Sequence, residues 1–144
     1  MSRWWITMVL VGCAPAEEDT EDTGSDDNGV QCGDPVTYDI EVTAKVVDGD
    51  GAPVPEIDVF LDDRGWEYDF LGSGPTDSRG RVTFTAYGVT ALDGCWGTVL
   101  NYWLVAIDPT NQDRTAEDDM NTELYNAIDD GSLATDVSDF PLEL

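Results

Sequence analysis

The stretch VTYDIEVTAKVV, residues 36–47, alternates apolar and polar side chains along most of its length. Its apolar side is formed by Tyr38, Ile40, Val42, Ala44 and Val46. A period of two places successive side chains on opposite faces of an extended chain. The stretch is therefore predicted to be a β-strand with one face toward a core and the other toward water.

Shorter patterns of the same kind follow, separated by turn-forming residues. Residues 48–51 favour a turn, and Pro53 and Pro55 exclude a helix before the next strand. We predict further strands over 57–61, 66–70 and 82–86 and within 98–107, with glycine and proline breaking the pattern over 72–80. The run 102–107 is apolar enough to be buried on both faces. Short strands about every ten residues are typical of an all-β sandwich.

The C-terminal residues predict a helix and a last strand. Residues 115–119 are typical of a capped helix start with acids in the first turn, and Gly131 would end the helix. Its apolar face would consist of Met120, Leu124, Ala127 and Ile128. We therefore expect a short helix over 116–129, with a long acidic loop as the alternative. Apolar residues spaced by two over 137–144 predict a closing strand, and Pro141 places it at an edge.

Two longer segments resemble a known family. AKVVDGDGAPVPEIDVFLDD (44–63) and PTDSRGRVTF (75–84) are similar to the carboxypeptidase regulatory-like domain, a transthyretin-like member of the immunoglobulin-like β-sandwiches. The resemblance covers about residues 40–86 and implies a sandwich of about seven strands that binds, spaces or stabilises and does not catalyse. Glu56 stands where such domains often have glycine, and the residues after Asp108 have no counterpart. The resemblance supplies no functional site.

The N-terminal residues favour a secreted and anchored protein. The apolar run 4–12 is nine residues long, whereas a membrane-spanning helix needs about 20. With Arg3 before it, the run is typical of a compact signal peptide, and an ordinary secretory signal or a buried apolar N-terminus are the alternatives. Leu10-Val11-Gly12-Cys13 resembles the lipobox of bacterial lipoproteins. This resemblance implies cleavage before Cys13, lipidation of Cys13 and, from Ala14, delivery to the outer membrane.

Three regions follow from these patterns. Residues 1–12 are predicted to be a signal peptide, residues 13–35 a lipidated cysteine with a disordered acidic tether, and residues 36–144 the β-sandwich domain. The tether has eight carboxylates and no basic residue, a composition that favours an extended chain over a packed core. A calcium loop is the alternative, but Asp26, Asp27 and Gly29 do not follow the EF-hand order. A lipid anchor would hold the domain at the membrane of the bacterial cell envelope.

The chain has three cysteines, Cys13, Cys32 and Cys95. If Cys13 is lipidated, Cys32 and Cys95 remain as a pair. Outside the cytoplasm such a pair is most simply a disulfide. A metal pair and a redox thiol are the alternatives, although the chain has neither histidine nor a CxxC spacing.

The composition argues against several functions. The formal net charge is −25, from 31 acidic and 6 basic residues, and such a field repels nucleic acid and anionic lipid headgroups. Because the chain has no histidine, Ser-His-Asp catalysis, Cys-His catalysis and histidine-based zinc sites are excluded. A hydrolase using a pair of carboxylates stays an alternative. We expect a protein without catalytic activity and without a cofactor.

Binding functions remain. The leading expectation is a structural or interaction module at the cell surface, with a protein or a glycan as partner. The alternative is a module for carbohydrate or calcium. Asp48, Asp50 and Asp77 are predicted at one end of the sandwich, where they could bind calcium or serve only the turns. Five aromatic residues could form a sugar-binding face or pack in the core. These residues are Trp66, Tyr68, Phe70, Trp96 and Trp103.

Overall fold

The strands of this protein form two sheets around a shared apolar core. The computed structural model describes residues 33–64, 70–92 and 101–144, and within them it has eight strands and one helix. The strands are β1 (Pro35–Val47), β2 (Asp58–Asp63), β3 (Phe70–Pro75), β4 (Arg81–Leu92), β5 (Tyr102–Asp108), β6 (Asn111–Asp119), β7 (Ala134–Asp136) and β8 (Leu142–Glu143). The helix is α1 (Asn121–Asp129). The prediction of an all-β sandwich with a short helix near the C-terminus is confirmed.

Strand β1 is the centre of the first sheet, whose order is β4-β1-β7, with β8 also paired to β1. β4 is antiparallel to β1, and β7 and β8 are parallel to it. The inward side chains of β1 are fully buried, as the alternation predicts; they are Ile40, Val42, Ala44 and Val46. Because these residues alternate with polar ones, the outer face of this sheet is polar.

The second sheet is antiparallel and has the order β3-β2-β5-β6. Its inward side chains meet those of the first sheet, and they include Val59, Leu61, Tyr102, Leu104 and Ala106. Val105 is also buried although it points to the opposite face of β5. The prediction that residues 102–107 are buried on both faces holds at Val105 only, because Trp103 and Ile107 on the same outward face are half-buried.

The break predicted over 72–80 is wrong at its start, because β3 continues to Pro75. Its glycines lie against β4 of the other sheet. A Cβ atom on Gly72 would overlap the carbonyl oxygen of Thr85, and one on Gly74 would lie 2.9 Å from Cγ2 of Val82. These glycines therefore permit close packing of the two sheets. The part of the predicted third strand over 66–69 lies outside the described residues.

The predicted helix is present but begins later than expected. Residues 111–119 form β6, which is antiparallel to β5. The pairing runs from Asp108 opposite Asn111 to Trp103 opposite Asp119. Helix α1 begins at Asn121, whose Oδ1 accepts a hydrogen bond from the backbone N–H of Tyr102 at 3.0 Å. The expected apolar face is correct, since Met120, Leu124 and Ala127 are buried and Ile128 packs against the core. Acids at 117–119 thus belong to an edge strand, where charged side chains discourage further pairing.

The closing strand is shorter than the predicted 137–144. The backbone N–H of Phe140 donates to the carbonyl of Val137 at 3.0 Å, so a turn separates β7 from β8. Phe140 is exposed, whereas Leu142 is buried. The turn is favoured by Asp136, whose Oδ1 accepts the backbone N–H of Ser138 at 2.9 Å.

Candidate functional site

Aromatic side chains lie on the outer face of the second sheet, where Phe70 is exposed and Phe60 and Trp103 are half-buried. Phe60 on β2 and Trp103 on β5 occupy outward positions, and Phe70 begins β3 beside them. Arg64 follows β2, and Glu117 lies on β6 opposite Val105. We call this set the aromatic face; it consists of Phe60, Arg64, Phe70, Trp103, Val105, Ile107 and Glu117.

Two phenylalanines are in direct contact on the aromatic face. The ring centroids of Phe60 and Phe70 are 4.4 Å apart, with an angle of 59° between the ring planes. Such tilted aromatic pairs are favourable by about 0.5–1.5 kcal/mol beyond their buried area. Phe70 is nevertheless 68% exposed. The pair therefore holds an aromatic side chain in a fixed position while most of it faces solvent.

Arg64 is held at one end of the aromatic face. Its Nη2 donates to Oε2 of Glu117 at 2.6 Å, and its Nε donates to Oδ2 of Asp62 at 2.9 Å. Its guanidinium carbon lies 4.9 Å from the centroid of the Trp103 ring. These hydrogen bonds, that with Glu117 most strongly, raise the pKa of Arg64, and the bond from Arg64 lowers the pKa of Glu117. Both groups stay charged at neutral pH.

The orientation of Trp103 is set by Asn101 and Arg64. Its indole Nε1 donates to Oδ1 of Asn101 at 2.7 Å, and the backbone N–H of Arg64 donates to the carbonyl of Asn101 at 2.8 Å. A cation above an indole ring contributes roughly 0.5–1 kcal/mol at an exposed site. The hydrogen bond to Asn101 and the cation–π contact with Arg64 therefore fix the Trp103 ring on the sheet surface.

An open groove of about 430 Å³ lies at the other end of the aromatic face. Its apolar lining is formed by Phe60, Phe70, Ile107 and Pro109, and its polar rim by Asp58, Ser73 and Gln112. We call it the Phe70 groove. Its volume falls within the range of roughly 300–1,000 Å³ typical of small-ligand sites.

A second depression, of about 310 Å³, lies on the outer face of the first sheet. Its polar side chains bond to each other. The hydroxyls of Thr43 and Thr83 are 2.9 Å apart, and Nη2 of Arg81 donates to Oδ2 of Asp136 at 3.2 Å. Because its polar groups are already paired, this depression offers a ligand less than the Phe70 groove does.

The loop acids predicted to share one end of the sandwich do lie close in the fold, since Lys45 pairs with Arg81 between their two turns. Asp48 and Asp77, however, each bind the backbone of their own turn. Oδ1 of Asp48 accepts the backbone N–H groups of Asp50 and Ala52 at 2.9 Å. Oδ1 of Asp77 accepts those of Arg81 and Arg79, and these bonds lower the pKa of Asp77.

Calcium binding by these loops has no ligand set in the structure. Across residues 33–64, 70–92 and 101–144, no group of three or more His, Cys, Asp or Glu side chains could hold a metal ion. The turn explanation for Asp48 and Asp77 therefore accounts for both residues.

Several predicted site residues lie outside the described residues. Cys13, Cys32 and Cys95 are among them, so the lipidation and the disulfide stay predictions. Trp66, Tyr68 and Trp96 are also among them. The two aromatics of the predicted set that the structure describes, Phe70 and Trp103, lie on the same outer face.

Sequence reasoning did not single out Phe60, Arg64 or Glu117. A signal for Phe60 was present, because this large apolar side chain occupies a polar position in the alternation over 57–61. Arg64 and Glu117 are 53 residues apart and come together only through the pairing of β2, β5 and β6. No local pattern could have joined them.

Among the residues that the structure describes, no helix has the length and apolar character needed to cross a bilayer.

Comparisons with known proteins give little about this chain. No protein-family model matches it, and no curated protein does. Among solved structures, the crystal structure of a 9R-lipoxygenase from Cyanothece PCC8801 is similar, with a TM-score of 0.42 and 17% sequence identity. The match covers 80% of this chain and 18% of the lipoxygenase chain.

Proposed function

We propose that this protein is a non-catalytic binding module of the bacterial cell envelope, anchored by lipid at Cys13. The LVGC sequence at 10–13 and the acidic residues that follow it support the anchor. The aromatic face is the surface through which the domain binds its partner. The partner is a protein or a glycan outside the cytoplasm.

The exposed aromatic face is the observation that supports a binding role. Single exposed apolar side chains are common on soluble proteins, but contiguous apolar surface marks interaction sites. Here Phe60, Phe70, Trp103 and Ile107 extend over three adjacent strands. Contacts with Arg64 and between the two phenylalanine rings fix their positions, and this reduces the entropy lost on binding.

The carboxyl groups favour binding over catalysis. A carboxylate-dependent hydrolase needs one acid whose pKa is raised so that it can donate a proton. Among the described carboxyl groups, the shifts that are resolved are all downward; they occur at Asp77, Asp108, Glu117, Asp130 and Asp136. Hydrogen bonds to the ionised form cause each of them. These acids are suited to holding turns and ion pairs.

Intact mass measurement tests the anchor. The full chain, extracted in detergent from membranes of its bacterial host, should begin at Cys13 and should have the added mass of a diacylglyceryl group and an N-linked acyl chain. The Cys13→Ser variant should keep residues 1–12 and no lipid. An unmodified Cys13 in the native protein would contradict the anchor.

Site-specific cross-linking in cells tests the binding face. The photoreactive residue p-benzoylphenylalanine should give a discrete adduct when it replaces Phe70. Tyr87 is the matched control, because it is 63% exposed against 68% for Phe70 and lies on β4 of the other sheet. Equal labelling at the two positions, or none at position 70, would contradict a role for the aromatic face.

A further inference from the structure

We propose that the Phe70 groove binds an uncharged saccharide. This inference rests on the proposed binding function and specifies the ligand class of the aromatic face. It follows from three properties of the groove: its aromatic wall, the unpaired polar groups of its rim, and its charge.

The aromatic lining suits the apolar face of a sugar ring. Pyranose rings present C–H groups on one side and hydroxyls around the edge, so recognition needs a flat apolar surface with polar groups beside it. Phe70 provides this surface, because most of its ring is exposed while its contact with Phe60 fixes its orientation. Ile107 and Pro109 continue the apolar floor.

The rim supplies the hydrogen-bonding groups that hydroxyls require. Asp58 is next to Ile107 in the β2–β5 register, and Ser73 is next to Phe60 in the β2–β3 register. The carboxylate of Asp58 accepts, and the Ser73 hydroxyl and the Gln112 amide both donate and accept. Within the described part of the chain, these three side chains make no hydrogen bond to protein. A ligand with several hydroxyls would pair with all of them.

Charge disfavours anionic ligands at this groove. Among the described residues, the lining of the Phe70 groove includes one carboxylate and no basic side chain, on a chain of net charge −25. Phosphorylated, sulfated and uronic-acid ligands would be repelled. A wholly apolar ligand would leave Asp58 without a partner at a cost in desolvation. An uncharged polyol satisfies both conditions.

Binding to defined oligosaccharides tests the inference. The full chain in detergent would be titrated by calorimetry with maltohexaose, cellohexaose, xylohexaose and chitohexaose. We expect at least one to bind with a Kd below about 1 mM, unchanged between about 0.05 and 0.5 M NaCl, because the ligand has no charge to be screened. Failure of all four to bind would overturn the inference.

Variants locate the site. Phe70→Ala should weaken binding roughly tenfold or more through loss of the ring surface, and Asp58→Asn should weaken it to a smaller extent. Tyr87→Ala, which removes a similarly exposed ring from the other sheet, should leave the Kd unchanged. Unchanged melting temperatures would show that the variants fold. Saccharide binding that persists in Phe70→Ala would overturn the assignment to the groove.

Hexalysine is the probe for a competing ligand, a basic peptide. If hexalysine binds in a manner sensitive to salt and to Phe70→Ala, and the saccharides do not bind, the ligand is a cationic chain and the saccharide inference is wrong. Cross-linking at position 70 together with silent saccharide titrations would likewise refute the saccharide while preserving the proposed binding face.

Discussion

The hydroxyl of Thr76 is expected to be a main determinant of stability at the end of the β2–β3 pair. Thr76 is 4% exposed. Its Oγ1 donates to the carbonyl of Val54 at 2.8 Å and accepts the backbone N–H of Ile57 at 2.9 Å. Its own backbone bonds to Glu56 and Ile57. One small side chain thus joins the segment before β2 to the segment after β3.

Replacing Thr76 by valine preserves the shape and removes both hydrogen bonds. The N–H of Ile57 is then left buried without a partner, and the carbonyl of half-buried Val54 has only partial access to water. A buried unsatisfied polar group costs about 1–3 kcal/mol, so we expect Thr76→Val to lower the free energy of unfolding by about 3 kcal/mol. Thr76→Ser keeps the hydroxyl and loses one methyl group, and should cost about 1 kcal/mol.

Urea unfolding of the full chain, followed by circular dichroism, measures both changes, and an unchanged m-value would show that the unfolded states are comparable. In thermal unfolding the same energies correspond to a decrease of about 12 °C for valine and about 4 °C for serine. The two variants control for each other. Valine is closer to threonine in volume than serine is, so a valine variant less stable than the serine variant shows the effect of the hydroxyl and not of volume. If the valine variant is as stable as the serine variant, the hydroxyl does not have the importance assigned to it.

Three further predictions concern the backbone and the acids. Glu56 has a φ of 60°, so Glu56→Gly should be more stable than Glu56→Ala by about 1 kcal/mol in urea unfolding, and equal stability would contradict strain at this position. Gly72→Ala should destabilise the fold by roughly 3 kcal/mol or more through overlap with the Thr85 backbone, whereas Gly49→Ala, with its nearest neighbour at 3.6 Å, should be close to neutral. Among the described carboxyl groups, the pKa values lowered in the folded state are those of Asp77, Asp108, Glu117, Asp130 and Asp136. Their contribution to stability is present above about pH 4 and is lost as pH falls through the lowered values, so urea midpoints should decrease below about pH 4, and a constant midpoint would refute this.

The sequence predicts β1, β2, β4 and β5 well because one buried face imposes a period of two on each of them. Glu56 has a backbone conformation that bears on the resemblance proposed for residues 40–86. Its positive φ lies in the region that glycine adopts without strain. The position where the resemblance expects glycine is therefore one where the backbone favours it.

The errors share a cause, because each depends on a contact with a distant part of the chain. The glycines in β3 were predicted to interrupt the strand, but Gly72 is required because the backbone of β4 approaches closely. The acidic residues at the end of β6 were predicted to form the first turn of a helix. The segment instead pairs with β5, and Glu117 binds Arg64. The aromatic face was only partly predicted. Its residues come together only through the pairing of distant strands, and the ion pair of Arg64 with Glu117 depends on the same pairing.

The described carboxylates differ in whether they bond to the backbone of their own turn. A recurrent geometry, an aspartate oxygen accepting the backbone N–H two residues later, occurs at Asp48, Asp77, Asp108, Asp119, Asp130 and Asp136. The short side chain of aspartate allows this bond, so these six aspartates serve their own turns. Asp58 differs, because it lies at the start of a strand, makes no such bond and borders the Phe70 groove. In the proposed saccharide site this carboxylate accepts hydrogen bonds from ligand hydroxyls, so we assign Asp58 to ligand binding and not to a turn.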